Sequence, residues 1–93
     1  MTIRYTRRAL SDLDALFMYI EQRDANAAWS VKDFIRERIV RLAEFPLIAP
    51  ETDIQGVREL SIVRYPYKIY YEIDTDEVWV LHIRDERRRP WRE

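Results

Sequence analysis

The side chains best suited to chemistry in this chain are basic and lie toward its C-terminal end. They are Arg58, Arg64, Lys68, Arg84, Arg87, Arg88 and Arg89. Arginine and lysine can hold a phosphodiester and stabilise negative charge that develops on its oxygens. Cleavage of RNA would also need a general acid or base, and spacing does not choose among Tyr65, Tyr67, Tyr70, Tyr71 and His82. The alternative is that the basic residues face solvent and that the tyrosines serve packing.

Several other kinds of site are excluded by composition. The chain has no cysteine, which rules out disulfides, thiol nucleophiles and zinc–thiolate sites. Its only histidine, His82, cannot build a metal cluster alone, and the only glycine, Gly56, excludes a glycine-rich phosphate loop. Asp12 and Asp14 are two residues apart on a predicted helix and do not share a face, so they indicate a solvated surface. We therefore expect no metal and no small-molecule cofactor.

The length and charge of the chain limit the number of domains and the classes of function that it can have. Its 93 residues make one domain. Sixteen basic and 17 acidic residues give a net charge of −1, whereas a dedicated nucleic-acid binder usually has a basic excess. No apolar run approaches the roughly 20 residues of a membrane span, and the N-terminus lacks the apolar stretch of a signal peptide. We expect a cytoplasmic protein with no membrane association.

The elements that must position these side chains begin with a strand and two helices. Alternation over residues 2–6 predicts a strand, and Thr6 can cap a helix over about 7–22. Asn26 can cap a second helix that runs to about Glu44. Phe45-Pro46 ends that helix because proline cannot continue the hydrogen-bond ladder. Apolar stripes on both helices predict a hairpin that lies on a sheet.

The last third of the chain predicts an antiparallel meander. Strands are expected over residues 57–63, 67–74 and 77–84, with Pro66 in the first connection. In the third strand Val78, Val80 and His82 should point one way, with apolar residues also on the other side. Paired in this way, the strands could bring Arg58, Lys68 and Arg84 within reach of one another. The predicted fold is a small single α+β domain over residues 1–93, a mainly antiparallel β-α-α-β-β-β arrangement with the helical hairpin on one face.

Short motifs follow this order of elements along nearly the whole chain. They read ALSDL at 9–13, RLAEFP at 41–46, VREL at 57–60, YPYKIYYEI at 65–73 and EVWVLHIR at 77–84. With these motifs the chain resembles toxins of the RelE/ParE superfamily from bacterial type II toxin–antitoxin modules. Its form is closer to ParE-like and plasmid stabilisation members than to RelE-like members.

The resemblance implies one of two activities. RelE-like members are ribosome-dependent endoribonucleases that cut mRNA with basic residues on the sheet and C-terminal tail, whereas ParE-like members poison DNA gyrase. Lys68 stands where RelE-like enzymes often carry a sheet arginine, and Arg88 falls near their basic residue after the last strand. Arg84 completes the set of candidate catalytic residues. However, Glu59 and Ser61 replace the usual basic pair, and no tyrosine follows the arginine cluster.

The resemblance also implies a partner, a cognate antitoxin that wraps over the domain. The candidate partner-binding residues are Arg58, Arg64, Arg87, Arg89 and Trp91. The function we predict is that of a ParE-like toxin that inhibits DNA gyrase and is neutralised by its antitoxin. One alternative is a RelE-like endoribonuclease that acts on ribosome-bound mRNA. A second is a non-toxic remnant that retains only antitoxin binding.

Overall fold

A computed structural model describes residues 1–87. Its elements in chain order are β1 (Thr2–Tyr5), α1 (Arg7–Glu21), α2 (Ala25–Arg41), β2 (Val57–Ile62), β3 (Tyr67–Asp74) and β4 (Glu77–Asp85). The sheet has the order β1-β4-β3-β2. Strands β2, β3 and β4 form the predicted antiparallel meander, and β1 pairs with β4 in parallel. The predicted α+β class is confirmed, with a sheet that is mixed because of β1.

Both helices begin at side-chain caps. The hydroxyl of Thr6 accepts from the Ala9 N–H at 3.1 Å, as predicted for α1. For α2 the predicted cap, Asn26, was wrong: the carboxylate of Asp24 accepts from the N–H groups of Asn26 and Ala27, each at 3.1 Å. A carboxylate at this position satisfies two backbone donors that have no partner within the helix, so α2 begins at Ala25.

The helices pack together on one face of the sheet, as predicted. Buried Ala9, Val31, Ile35 and Ile39 meet strand residues in one apolar cluster. The strand residues of that cluster are Ile62, Tyr67, Ile69, Val80 and Ile83. Since each fully buried aliphatic side chain contributes roughly 1.5–3 kcal/mol, this cluster accounts for the association of the helices with the sheet. None of the helices within residues 1–87 has the length and apolar character needed to cross a bilayer.

A β-bulge in β4 changes which side chains share a face. Tyr70 is opposite His82, but Tyr71 is opposite Val80, so Leu81 is the extra residue. As a result Val80 and Ile83 both join the core beneath the helices, and His82 lies on the other face beside Tyr70. The prediction that His82 and Val80 share a face was therefore wrong, because a bulge shifts the alternation by one residue.

The segment between α2 and β2 is held against the sheet by two strand side chains. The Tyr71 hydroxyl donates to the Pro46 carbonyl at 2.7 Å. The Arg58 guanidinium donates to the Ala49 carbonyl at 2.6 Å and lies 3.7 Å from a Glu51 carboxylate oxygen. These contacts fix an otherwise irregular segment at the edge of the helix-covered face.

Candidate functional site

The face of the sheet that points away from the helices, here called the open face, carries two polar rows. Ser61, Lys68 and Arg84 are opposite one another across β2, β3 and β4. Glu59, Tyr70 and His82 form the neighbouring row. Directly opposite residues on antiparallel strands have Cβ atoms roughly 4.5–5.5 Å apart. The structure thus brings together two of the predicted basic residues, Lys68 and Arg84, and surrounds them with groups that can accept or donate hydrogen bonds.

Glu59 and Lys68 form a direct ion pair on this face. The Lys68 Nζ lies 2.8 Å from Glu59 Oε2, and about a quarter of each side chain is exposed. The hydrogen bond that Lys68 donates to the Glu59 carboxylate raises the pKa of Lys68. Partial burial opposes ionisation of Glu59, but hydrogen bonds from Lys68 and Tyr70 hold the pKa of its carboxyl below the ordinary value. Both groups are therefore charged at neutral pH, and the acid neutralises the lysine.

Arg84 and Tyr70 form the second contact of the open face. The Arg84 Nε donates to the Tyr70 hydroxyl at 3.1 Å, and its Nη1 donates to the Asp85 carbonyl at 3.1 Å. Attraction to Arg84 also favours the ionised form of Glu59 and so contributes to its lowered pKa. Tyr70 is buried and stacks on His82 with ring centroids 5.9 Å apart. The guanidinium is therefore held in a defined position next to Lys68.

His82 is tied to the first helix. Its Nδ1 lies 2.6 Å from the Asp12 carboxylate, and the same carboxylate oxygen accepts from the Ile83 N–H at 3.0 Å. This contact forms just beyond Val80, where pairing with β1 ends. From its spacing to Asp14, Asp12 was predicted to be a solvated surface acid, and this prediction was wrong. A signal was present, because Asp12 follows the buried Ala9 by three residues and so points from α1 in a similar direction.

The other basic residues predicted as functional lie apart from this pair. Arg58 is three residues from Ser61, so strand alternation places it on the opposite face; the expected approach of Arg58 to Lys68 and Arg84 was wrong. Arg64, in the connection from β2 to β3, lies over the ring of Phe34 at 5.8 Å. Arg87 makes two close contacts with the Asp85 carboxylate, which raise the pKa of Arg87. The remaining candidates, Arg88, Arg89 and Trp91, lie outside the described residues.

The open face has the composition of an anion site that already contains an anion. Lysine and arginine side chains supply charge and donors for a phosphate, but the carboxylate of Glu59 already pairs with Lys68. Within residues 1–87 no group of three or more histidine, cysteine, aspartate or glutamate side chains could hold a metal ion.

A second candidate surface is a groove between the helices and β1, here called the helix groove. It encloses about 410 Å³. Its apolar lining comes from Ile3, Tyr5, Leu10, Leu13 and Val40, and its charged lining from Asp14, Lys32 and Arg36. Leu10 is 50% exposed and Val40 58% exposed. Within residues 1–87 no strand pairs with the outer edge of β1. Exposed apolar side chains beside cations and an unpaired edge are typical of a protein-binding surface.

The chain is similar to known proteins over nearly its whole length. Residues 3–90 match the family model described as "ParE toxin of type II toxin-antitoxin system, parDE". The chain is 39% identical over 82 residues to the "Putative toxin Y4kP" of Sinorhizobium fredii (strain NBRC 101917 / NGR234), a match that covers 86% of this chain and 85% of that protein.

Solved structures give a consistent result. The chain is similar to a structure of the chromosomal ParDE TA system from P. aeruginosa, with a TM-score of 0.82 and 25% identity over 91% of this chain and 95% of that one. It also shares its fold with the isolated E. coli RelE toxin, with a TM-score of 0.69 and 15% identity over 95% of this chain and 86% of that one.

Proposed function

Since this chain belongs to the ParE toxin family of type II toxin–antitoxin systems, we propose that it inhibits DNA gyrase in the cytoplasm by binding, without cutting RNA. The observation that carries this proposal is the 2.8 Å ion pair between Glu59 and Lys68. It neutralises the lysine that stands where RelE-like enzymes often carry a sheet arginine.

The composition of the open face supports binding over catalysis. Electrostatic catalysis requires donors that are already aimed at the charge developing in the transition state. Here Lys68 donates to Glu59, and the Arg84 Nε donates to Tyr70. A phosphate that approached this row would have to displace a carboxylate from a charge-assisted hydrogen bond, a stronger contact than a neutral one. The arrangement therefore disfavours attack on RNA at this face.

The helix groove supports an antitoxin as the neutralising partner. Its apolar walls fit an amphipathic segment, and Lys32 and Arg36 in its lining favour acidic residues on that segment. The similar P. aeruginosa structure is that of a chromosomal ParDE TA system. We propose that the antitoxin of this chain covers the helix groove and does not cover the open face.

A RelE-like endoribonuclease is the second candidate function. It is favoured by one arrangement, the opposition of Lys68 and Arg84 beside the Tyr70 hydroxyl. A tyrosine next to two cations is a plausible general acid or base with its charge-stabilising partners. This candidate requires Glu59 to leave Lys68 when RNA binds.

Induced expression without the antitoxin separates the candidates. We expect growth arrest, loss of negative supercoiling in a reporter plasmid and no new mRNA ends. The control is a Lys68→Ala/Arg84→Ala variant, which should arrest growth to a similar extent because those side chains are not needed for gyrase binding. Rapid mRNA cleavage at ribosome-occupied codons that disappears in the variant would support the ribonuclease instead. Normal growth would contradict both and leave antitoxin binding as the remaining property.

A further inference from the structure

We propose that the toxin binds gyrase through a groove beside β2, here called the β2 groove, an assignment that rests on the proposed inhibition of gyrase. The occupant is a gyrase segment in which acidic side chains flank an apolar one. The groove encloses about 400 Å³ between the end of α2, the segment that follows it and β2. Its lining includes Arg38, Arg41, Glu44, Phe45, Ile48 and Leu60.

Exposed apolar side chains give the β2 groove the character of a protein-binding surface. Phe45 and Ile48 in its lining are both exposed. Val63, in the connection from β2 to β3, is 98% exposed. Covering such side chains with an apolar partner removes their surface from water and so stabilises a complex.

Two arginines at one end of the β2 groove bracket a single aromatic ring. The Arg38 guanidinium lies 4.9 Å from the centre of the Phe34 ring, and the Arg64 guanidinium lies 5.8 Å from the same centre. In the part of the chain that the structure describes, neither guanidinium forms an ion pair. A guanidinium over a ring keeps its in-plane N–H groups available for a carboxylate, and a side chain that is already positioned loses less freedom on binding.

The other charges of the β2 groove do not cancel these two arginines. Arg41 lies 3.3 Å from the Glu37 carboxylate, and Glu44 adds one negative charge to the lining. Counted together with Arg38 and Arg64, the surface keeps a net positive charge. It therefore attracts a partner with acidic side chains. A second copy of this chain is disfavoured, because a two-fold interface would bring the same positive surface against itself.

The outer edge of β2 indicates that the partner is a protein. The Glu59 N–H donates outward to the Pro50 carbonyl at 3.0 Å. Backbone groups of alternate residues in an antiparallel strand point the same way, so those of Ser61 also point outward. Within residues 1–87 no strand pairs with this edge beyond Glu59. An extended protein segment can continue a sheet at such an edge, whereas a nucleic-acid strand cannot.

The β2 groove and the helix groove lie on opposite sides of α2. Lys32 and Arg36 line the helix groove, whereas Phe34 and Arg38 belong to the surface beside β2. A step of two residues turns a helix by about 200°, and a helix with its side chains is about 10–12 Å across. One short segment therefore cannot fill both grooves. A gyrase molecule in the β2 groove would nevertheless lie close enough to an antitoxin across α2 to collide with it, which accounts for neutralisation.

The test compares gyrase inhibition with antitoxin binding in purified variants. Supercoiling of relaxed plasmid by purified gyrase gives the toxin concentration that halves the activity, and calorimetry gives the affinity for the antitoxin. We expect Arg38→Glu to raise the half-inhibitory concentration about tenfold, as for an arginine at the centre of an interface. Its affinity for the antitoxin should change less than about twofold. The matched control is Arg7→Glu, the same charge change at the exposed start of α1, which should leave both quantities within about twofold.

Val63→Glu provides a second test that does not disturb packing, because the side chain is already 98% exposed. It should raise the half-inhibitory concentration about fivefold or more, since it removes an apolar contact and repels an acidic segment. The control is Met18→Glu, which adds the same charge at an exposed position of α1 and should change inhibition less than about twofold.

The outcomes separate the β2 groove from the proposed function. If the unchanged chain inhibits gyrase and either Arg38→Glu or Val63→Glu inhibits it equally well, the β2 groove is overturned while gyrase inhibition stands. If the unchanged chain does not inhibit gyrase, both are overturned. Weaker antitoxin binding in the two variants with unaltered inhibition would assign the groove to the antitoxin. A matching loss of affinity for plasmid without gyrase would assign it to DNA, and either result would overturn the proposal.

Discussion

The helix-covered face of the sheet and its open face differ in what holds their side chains in place. On the helix-covered face, Ile69, Val80 and Ile39 are essentially inaccessible to solvent and interlock through apolar contact. On the open face, directional contacts between polar groups, such as the 2.8 Å Glu59–Lys68 pair, set the positions. The first kind of contact stabilises the fold strongly and tolerates few changes, whereas the second stabilises it weakly and decides which ligands can bind.

The largest effect that would test this comparison is expected in the core. Ile69→Ala should lower the free energy of unfolding by about 2–5 kcal/mol, because it removes a fully buried side chain and leaves a cavity. The control is Ile48→Ala, whose side chain is 66% exposed, and it should cost less than about 1 kcal/mol. Urea unfolding followed by circular dichroism measures both, and equal losses would contradict the assignment of Ile69 to the core.

A smaller effect is expected where α1 meets the edge of β4. Asp12→Ala should lower the free energy of unfolding by about 1–3 kcal/mol, because Ile83 N–H loses its acceptor and His82 loses this contact. Asp14→Ala, two residues further along the same helix, is the control and should change stability by less than about 0.5 kcal/mol. Thermal unfolding can compare them, and a tolerated Asp12→Ala would mean that this contact does not hold the helix to the sheet.

Removal of the Tyr71 hydroxyl should lower the free energy of unfolding by about 1 kcal/mol. Tyr71→Phe keeps the buried ring and removes the 2.7 Å hydrogen bond to the Pro46 carbonyl. We expect faster amide hydrogen exchange in residues 46–52 along with the modest loss of stability. Tyr70→Phe serves as a comparison on the open face, and it should leave exchange in that segment unchanged. Unaltered exchange in Tyr71→Phe would show that other contacts hold the segment.

The smallest effect is the pH dependence contributed by the open face. The pKa of Glu59 is lowered in the folded chain, so its ion pair stabilises the fold above the unfolded pKa and this contribution is lost as pH falls through the folded pKa. Because the pair is partly exposed, we expect a contribution of only about 0.5–1 kcal/mol. The difference in free energy of unfolding between the unchanged chain and Glu59→Gln should therefore shrink between about pH 5 and pH 2. A difference that stayed constant would contradict the charged pair.

The difference between the helix-covered face and the open face also explains which features could be predicted from the sequence. The apolar stripes on the helices and the alternation in β2 and β3 were enough to predict the α+β fold and the face that the helices cover. The β-bulge at Leu81 was not predictable, because an extra residue leaves no mark in an apolar run, and it changed the face of His82. The pairings of Glu59 with Lys68 and of Asp12 with His82 depend on register and on contacts between distant residues. The basic composition therefore suggested a phosphate-binding site. The neutralisation of Lys68 by Glu59 could be recognised only once the register of the strands was known.

Our proposal is that this toxin acts by binding gyrase and that the cations of its open face take no part in that action. Its most direct test is gyrase-catalysed supercoiling of relaxed plasmid with purified chain added, either unchanged or as the Lys68→Ala/Arg84→Ala variant with its fold verified by circular dichroism. We predict that both proteins inhibit supercoiling at similar concentrations. Full supercoiling at every concentration of the unchanged chain, with cleavage of mRNA on added ribosomes, would contradict the account.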